Sequence, residues 1–149
     1  MNKTIDKREV LFRGKIVDEK NEWVIGDGIH YPKSLNYKGT CWIDGMGKRA
    51  NDWIPVIPET VGMYVGLRDD KRTEEYPEGQ RMFEGDIVTG LFSSGMSIYA
   101  VVSFQDGAFG LEWYSGSVKR FTTFTSICNV SYETIGNIFD NPDLIRKDN

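Results

Sequence analysis

The sequence predicts a mainly β protein, and three observations support this fold class. Aromatic residues make up 13% of the chain and 16 residues are glycine, a combination that favours strands joined by tight turns. Short runs of β-branched and aromatic residues alternate with turn-forming residues. No segment longer than a few turns has the period of an amphipathic helix. With 149 residues, the chain has the length of one ordinary domain, and we expect residues 1–149 to form a single domain.

The N-terminal region, about residues 8–57, is predicted to form hairpins. The runs "EVLFRGKIV" and "EWVIGDGIHY" flank the polar turn "DEKN", which is typical of a hairpin. The runs "TCWID" and "DWIPVI" predict a second hairpin, closed by "GMGKRAN". Pro55 restricts the last of these strands to a sheet edge, because proline has no N–H to donate to a neighbouring strand.

The C-terminal region, about residues 58–145, has the clearest strand pattern. "PETVGMYVGLRD" predicts a strand entered through a turn, since its two glycines disfavour a helix. After a charged loop, four strands are predicted at "DIVTGLF", "SIYAVVSF", "AFGLEWY" and "SVKRFTTF", and a last one in "YETIGNIFDNPDLI". We expect a strongly bent antiparallel sheet that closes into a partly open SH3-like barrel, with the N-terminal hairpin packed on it.

The stretch "RMFEGDIV" admits two interpretations. Glu84 and Asp86 would share one face of a strand, as a catalytic carboxylate pair must. A structural turn is simpler, because Gly85 adopts a positive φ without steric cost and the Asp86 side chain can accept a nearby backbone N–H. We therefore predict a turn here. A second turn is predicted at Asp106-Gly107, a pair typical of a two-residue type I′ hairpin.

Other signals of catalysis are weak. The single histidine, His30, excludes a metal site built on several histidines, and a thiol–imidazole dyad would need Cys41 or Cys128 to reach that ring. The "GDG" stretch lacks the further ligands of a calcium loop and is more simply a turn or bulge. We predict no enzyme, no metal and no cofactor. Under the enzyme alternative, Glu112 joins the two carboxylates above as a residue to test.

Charge and cysteine content point to a cytoplasmic protein. The net charge of -4 disfavours general nucleic-acid binding, which usually requires a basic surface. Cys41 and Cys128 are predicted to be free, buried thiols in a reducing compartment, although a long-range disulfide stays open. The N-terminal residues contain no apolar segment typical of a secretion signal. No run approaches the roughly 20 apolar residues that span a bilayer.

Aromatic residues are candidates either for the core or for a binding face. Packing in the core explains them without any ligand, and we prefer that interpretation. If a binding surface exists, Trp113 with the neighbouring basic pair Lys119 and Arg120 is the candidate, because bases stack on aromatic rings. The aromatic residues considered are Trp23, Trp42, Trp53, Tyr99, Phe109, Trp113 and Phe121.

Several ordered segments resemble one known family. They are "LFRGK", "EWVIG", "IPETVGMYVGLRD", "MFEGDIV", "VVSFQDGAFGLEW" and "YETIGNIFDNPDLI", and together they resemble the YopX-like family of small phage and prophage proteins. Residues 31–55 carry no strong family signature, and the insert "TEEYPEGQR" is longer than the family pattern. The resemblance implies a mainly β, single-domain phage protein in the bacterial host cytoplasm. It supplies no catalytic residues and no assigned biochemical role.

Two functional hypotheses follow from different classes. The first is a non-catalytic protein-interaction or assembly module that binds a host or phage protein, or another copy of itself as a homo-oligomer, through aromatic side chains or exposed strand edges. The alternative is a nucleic-acid-binding accessory protein, whose binding would weaken steeply with salt.

Overall fold

The computed structural model describes residues 8–17, 22–31, 41–46, 52–92, 95, 97–127 and 130–145. Within these residues the chain is mainly β, as predicted, and its regular elements are strands and short 3-10 turns. The chain divides into two compact units, Met1–Gly66 and Leu67–Asn149. Each unit contains antiparallel strand pairs.

The first unit is built on both predicted hairpins. Its strands are β1 (Phe12–Lys15), β2 (Trp23–His30), β3 (Cys41–Gly45), β4 (Trp53–Val56) and β5 (Gly62–Arg68), of which the last continues into the second unit. β1 pairs with β2 and β3 pairs with β4, both antiparallel, so both hairpin predictions are confirmed. The predicted turn "DEKN" and most of "GMGKRAN" lie outside the described residues.

Strand β4 is an edge strand in the order β4-β3-β2-β1-β5, as we predicted from Pro55. Residues directly after β1 form hydrogen bonds with this edge strand, so the sheet curls. Ile16 bridges to Val56, and the Val17 N–H donates to the Pro55 carbonyl at 3.0 Å. The curled strands surround a core of Ile16, Val24, Cys41, Ile43, Ile54 and Val56.

The second unit contains an open five-stranded sheet. The strands of this unit are β6 (Arg81–Phe83), β7 (Asp86–Phe92), β8 (Ser97–Gln105), β9 (Ala108–Ser115), β10 (Val118–Thr123) and β11 (Val130–Asn137), and β7 to β11 form the sheet. The sheet order is β10-β9-β8-β7-β11, and every pairing is antiparallel. Since β10 and β11 lie at opposite ends, the described strands form no closed barrel, and the SH3-like detail stays a prediction.

The middle of this sheet buries a cluster of side chains on one face. Val88 lies opposite Ala100 and Val102 lies opposite Leu111, so these four side chains share a face. All four are at most 1% exposed. The opposite face, called the outer face here, carries the alternating residues of the same strands, including Tyr99, which is 57% exposed.

The prediction that the seven aromatic residues fill the core is wrong. None of them is buried, and Trp53 is 52% exposed. Trp42 lies between Cys41 and Ile43, which are both fully buried, so the two-residue period of a strand turns the indole to the other face. The buried side chains are instead mainly aliphatic, with Met82, Phe83 and Tyr64 among them.

The "RMFEGDIV" stretch forms the turn between β6 and β7. Gly85 has a φ of 90°, and Glu84 lies in the turn instead of on a strand with Asp86. Asp86 is 2% exposed, and its Oδ2 accepts the Phe83 N–H at 2.7 Å. The buried carboxylate therefore holds the two ends of the turn together.

Two-residue turns fix the register of the next two hairpins. Asp106 and Gly107 have φ values of 51° and 82° and join β8 to β9, the geometry of a type I′ turn. Gly116 has a φ of 64° and begins the two-residue turn between β9 and β10, in the position where type II′ turns place glycine.

We expect Gly85→Val to lower the free energy of unfolding by at least about 2 kcal/mol, because a β-branched residue is strongly disfavoured at this positive φ. Urea unfolding measures the change. Glu84→Ala in the same turn is the control, since it leaves the Gly85 backbone unchanged. An unaltered melting temperature for Gly85→Val would contradict the turn geometry.

Candidate functional site

A groove with a volume of about 810 Å³ lies on the outer face of the second unit's sheet. Strands β8 and β9 and the 3-10 turn Pro142–Ile145 line it. The strand residues that contribute side chains from the outer face are Ser97, Tyr99, Val101, Glu112 and Tyr114. This volume lies within the range of about 300–1,000 Å³ that is typical of ligand pockets.

Large exposed side chains surround this groove. Tyr99 is 57% exposed, Leu144 is 41% exposed and Tyr114 is 39% exposed. Aromatic residues of this kind present wide apolar area at low cost in side-chain entropy, which is why they are enriched where proteins bind one another. The groove thus combines a concave shape with residues suited to protein recognition.

Glu112 makes the principal polar contacts at the groove. Its Oε1 accepts a hydrogen bond from Lys119 Nζ at 2.7 Å and another from Gln105 Nε2 at 3.0 Å. The hydrogen bond and the charge of Glu112 raise the pKa of Lys119 above its ordinary value. Glu112, one of the three acids considered for catalysis, is therefore held in place by the protein's own donors.

The three surface candidates do not form one patch. In the β9–β10 pairing, Lys119 lies opposite Tyr114 and Arg120 lies opposite Trp113. Residues directly opposite each other in an antiparallel pair project from the same face, and successive residues project from opposite faces. Lys119 is thus on the outer face beside the groove, while Arg120 is on the other face. Trp113 shares that other face with Arg120, and it nevertheless contributes to the lining of the groove.

Cys41 and His30, which a thiol–imidazole dyad would need, make other contacts. Cys41 is fully buried, and its Sγ contacts the Val56 carbonyl at 3.8 Å. Burial raises the pKa of the Cys41 thiol, and the Glu59 carboxylate raises it further. The His30 ring packs edge-on against Trp53, with ring centroids 6.4 Å apart. Cys128 lies outside the described residues, so its relation to Cys41 stays open.

Two other kinds of feature, a metal-binding cluster and a membrane-spanning helix, are absent from the described residues. No group of three or more His, Cys, Asp or Glu side chains in that part of the chain is placed to hold a metal ion. No helix there is long and apolar enough to cross a membrane. The "GDG" stretch lies within β2, where the register with β3 shifts between Gly26 and Gly28, so its interpretation as a bulge is confirmed.

Two aspartates cover the free edge of β11. Asp70 donates its N–H to the Tyr132 carbonyl at 2.8 Å, and its Oδ2 accepts the Tyr132 N–H at 2.7 Å. Asp69 Oδ2 accepts the Thr134 N–H at 2.9 Å, and Asp69 Oδ1 accepts the Gln80 N–H at 2.8 Å. These carboxylates satisfy edge donors that a further strand would otherwise pair with.

An ion pair extends this covering of β11. Lys71 Nζ lies 2.8 Å from Glu133 Oε1. The hydrogen bond and the charge of Glu133 raise the pKa of Lys71. No local sequence pattern predicted this cap, although the acidic pair directly after β5 was its one visible signal. Its contacts join residues more than 60 positions apart, which no local pattern reports.

The family model described as "YopX protein" matches residues 11–146, nearly the whole chain. The chain belongs to the YopX family. The resemblance inferred from the ordered segments is thereby confirmed. No curated protein and no solved structure matches the chain significantly.

We expect Asp69→Ala to lower the free energy of unfolding by about 1–3 kcal/mol, because it leaves the N–H groups of Gln80 and Thr134 without their acceptors. Chemical denaturation measures the loss. Asp69→Asn retains one carbonyl oxygen and should lose less. Equal stability of the alanine variant and the unmodified protein would show that the β11 cap is energetically unimportant.

The raised pKa of Cys41 predicts slow thiol chemistry, because less thiolate is present at any given pH. In a Cys128→Ser background, we expect alkylation at about pH 8 to be far slower in the folded protein than in denaturant. The rate should also rise at higher pH than for a free cysteine. Similar rates in both states would mean that Cys41 is accessible and not perturbed.

Proposed function

We propose that this YopX-family protein is a non-catalytic protein-interaction module of a phage or prophage, acting in the cytoplasm of the bacterial host. The observation that carries the proposal is the groove on the outer face, with its exposed tyrosines Tyr99 and Tyr114. The phage setting rests on what the family resemblance implies.

The groove suits a partner side chain or short segment. Its tyrosine rings and Leu144 offer apolar contact, and Ser97 and Asp143 offer polar groups beside them. Interfaces take most of their binding energy from a few aromatic anchors surrounded by polar residues. A protein partner would therefore bury Tyr99, which otherwise leaves more than half of its surface in water.

The positions of the acidic residues favour binding over catalysis. Asp86 closes the β6–β7 turn from a buried position, and Glu84 lies within that turn. Glu112 already receives hydrogen bonds from Lys119 and Gln105. Acid–base catalysis requires carboxylates that face one substrate with separated pKa values, and these three serve different parts of the second unit.

A nucleic-acid-binding role is the second candidate. The observation that favours it is the pairing of Arg120 with Trp113 across β9 and β10, which places a cation beside an aromatic ring on one face. Against it, Lys119 projects from the opposite face and is paired with Glu112. The groove lining adds the carboxylate of Asp143, which repels phosphate.

The proposal predicts that Tyr99→Ala weakens capture of a defined partner. The tagged protein is used for pull-down from host cells that express the phage genes, with and without nuclease. We expect partners that survive nuclease, and roughly tenfold weaker capture by the variant.

Phe104→Ala is the matched control, since Phe104 is on the same strand, is 52% exposed and projects from the opposite face. Its partner capture should remain. Loss of all partners on nuclease treatment would favour the nucleic-acid role, and equal loss in both variants would exclude a specific role for the groove.

A further inference from the structure

The two edges of the second unit's sheet are treated differently by the chain. The β11 edge is covered by Asp69 and Asp70, as described above. At the other end, β10 pairs with β9, and no further backbone hydrogen bond to Val118–Thr123 occurs within the described residues. An uncovered edge strand presents a row of N–H and C=O groups that another strand can pair with.

The hairpin geometry identifies the backbone groups that face outward. The two-residue turn at Gly116 closes on the pair Ser115 and Val118. Two-residue hairpin turns close on a hydrogen-bonded pair, and hydrogen-bonded and non-hydrogen-bonded pairs then alternate along the ladder. Lys119 and Phe121 therefore direct their N–H and C=O groups away from β9.

The side chains of β10 give this edge a positive charge. Its two ionisable residues are Lys119 and Arg120, both exposed, and the strand has no acidic residue of its own, although Lys119 Nζ also pairs with Glu112 of β9 at 2.7 Å. Because they are adjacent in a strand, they project from opposite faces of the sheet. The charge is therefore presented above and below the line of free backbone groups.

We propose that the β10 edge binds an extended acidic segment of a partner protein, which adds a sixth strand to the sheet. Main-chain hydrogen bonds to the outward groups of Lys119 and Phe121 supply affinity, as in other cases of strand addition. Adjacent acidic residues of the incoming segment meet Lys119 on one face and Arg120 on the other. These charge contacts select the partner and set its register.

Charge complementarity also distinguishes this partner from a second copy of the chain. Two β10 strands paired with each other would bring four cations into one short ladder, which like-charge repulsion disfavours. An acidic strand has no such repulsion. The site is separate from the groove, so the inference goes beyond the proposed function and does not depend on Tyr99.

Synthetic peptides test the chemistry directly on the full-length protein. Three short strand-forming peptides of alternating valine and threonine carry two adjacent central residues, which are glutamate, glutamine or lysine. We expect the glutamate peptide to bind roughly tenfold more tightly than the glutamine peptide, to weaken with salt, and to protect the amides of β10 from hydrogen exchange. The lysine peptide should not bind.

Variants of Lys119 separate the backbone from the charge. Lys119→Pro removes the outward N–H but leaves the inward donors of β10, whereas Lys119→Ala removes only the side-chain charge. We expect the proline variant to lose peptide binding and the alanine variant to retain part of it. Arg120→Glu should weaken binding of the glutamate peptide and strengthen that of the lysine peptide.

Several results would overturn the inference. Equal affinity for the glutamate and glutamine peptides would exclude charge selection, and full binding by a folded Lys119→Pro variant would exclude the edge. Sedimentation showing a dimer that Lys119→Pro dissociates would assign the edge to a second copy. If the proline variant proves unstable, the three-peptide comparison on the unmodified protein still tests whether an acidic segment is bound selectively. The Tyr99→Ala variant should bind the peptides normally, so a failure of the groove proposal can be distinguished from a failure of the β10-edge proposal.

Discussion

The backbone at Gly85 connects separate parts of the second unit. Its N–H donates to the Val102 carbonyl in β8 at 2.8 Å, and its carbonyl accepts the Ile138 N–H, just beyond β11, at 2.9 Å. Both bonds require the peptide orientation that the positive φ provides, and the buried Asp86 carboxylate fixes that orientation from the next position. The turn at the start of β7 is therefore bonded to segments on both sides of that strand, β8 and the end of β11.

The two edges of this sheet, β11 and β10, are covered differently. Toward β11, two aspartate carboxylates occupy the donors of the last strand, and an ion pair holds the covering segment. Toward β10, the ladder stops at a strand whose charged residues are both basic. Among the described residues, carboxylates therefore cover one edge of the sheet, and the other edge is a basic strand with no further strand beside it.

The local pattern predicted the hairpins well because each depends on neighbouring residues. Asp106-Gly107 specifies its turn through the φ preferences of two adjacent residues, and Pro55 specifies an edge through one missing donor. The aromatic residues were misassigned because hydrophobicity alone does not say which face of a strand is buried. Trp42 alternates with two fully buried neighbours, and the strand period already contained that information.

The sequence by itself determined the mainly β class, the order of the strands along the chain and the turns that join them, since periodicity and turn chemistry are local properties. The sequence pattern was interpreted as grouping Lys119 and Arg120 into one basic pair, although adjacent residues of a strand project from opposite faces. Only the tertiary structure decided that Asp69 would cap β11, that the turn at residues 142–145 would complete the groove, and that β10 would have no further strand beside it among the described residues. These features depend on contacts between residues far apart in the chain. Local conformational preferences do not specify such contacts, because they act only between neighbouring residues.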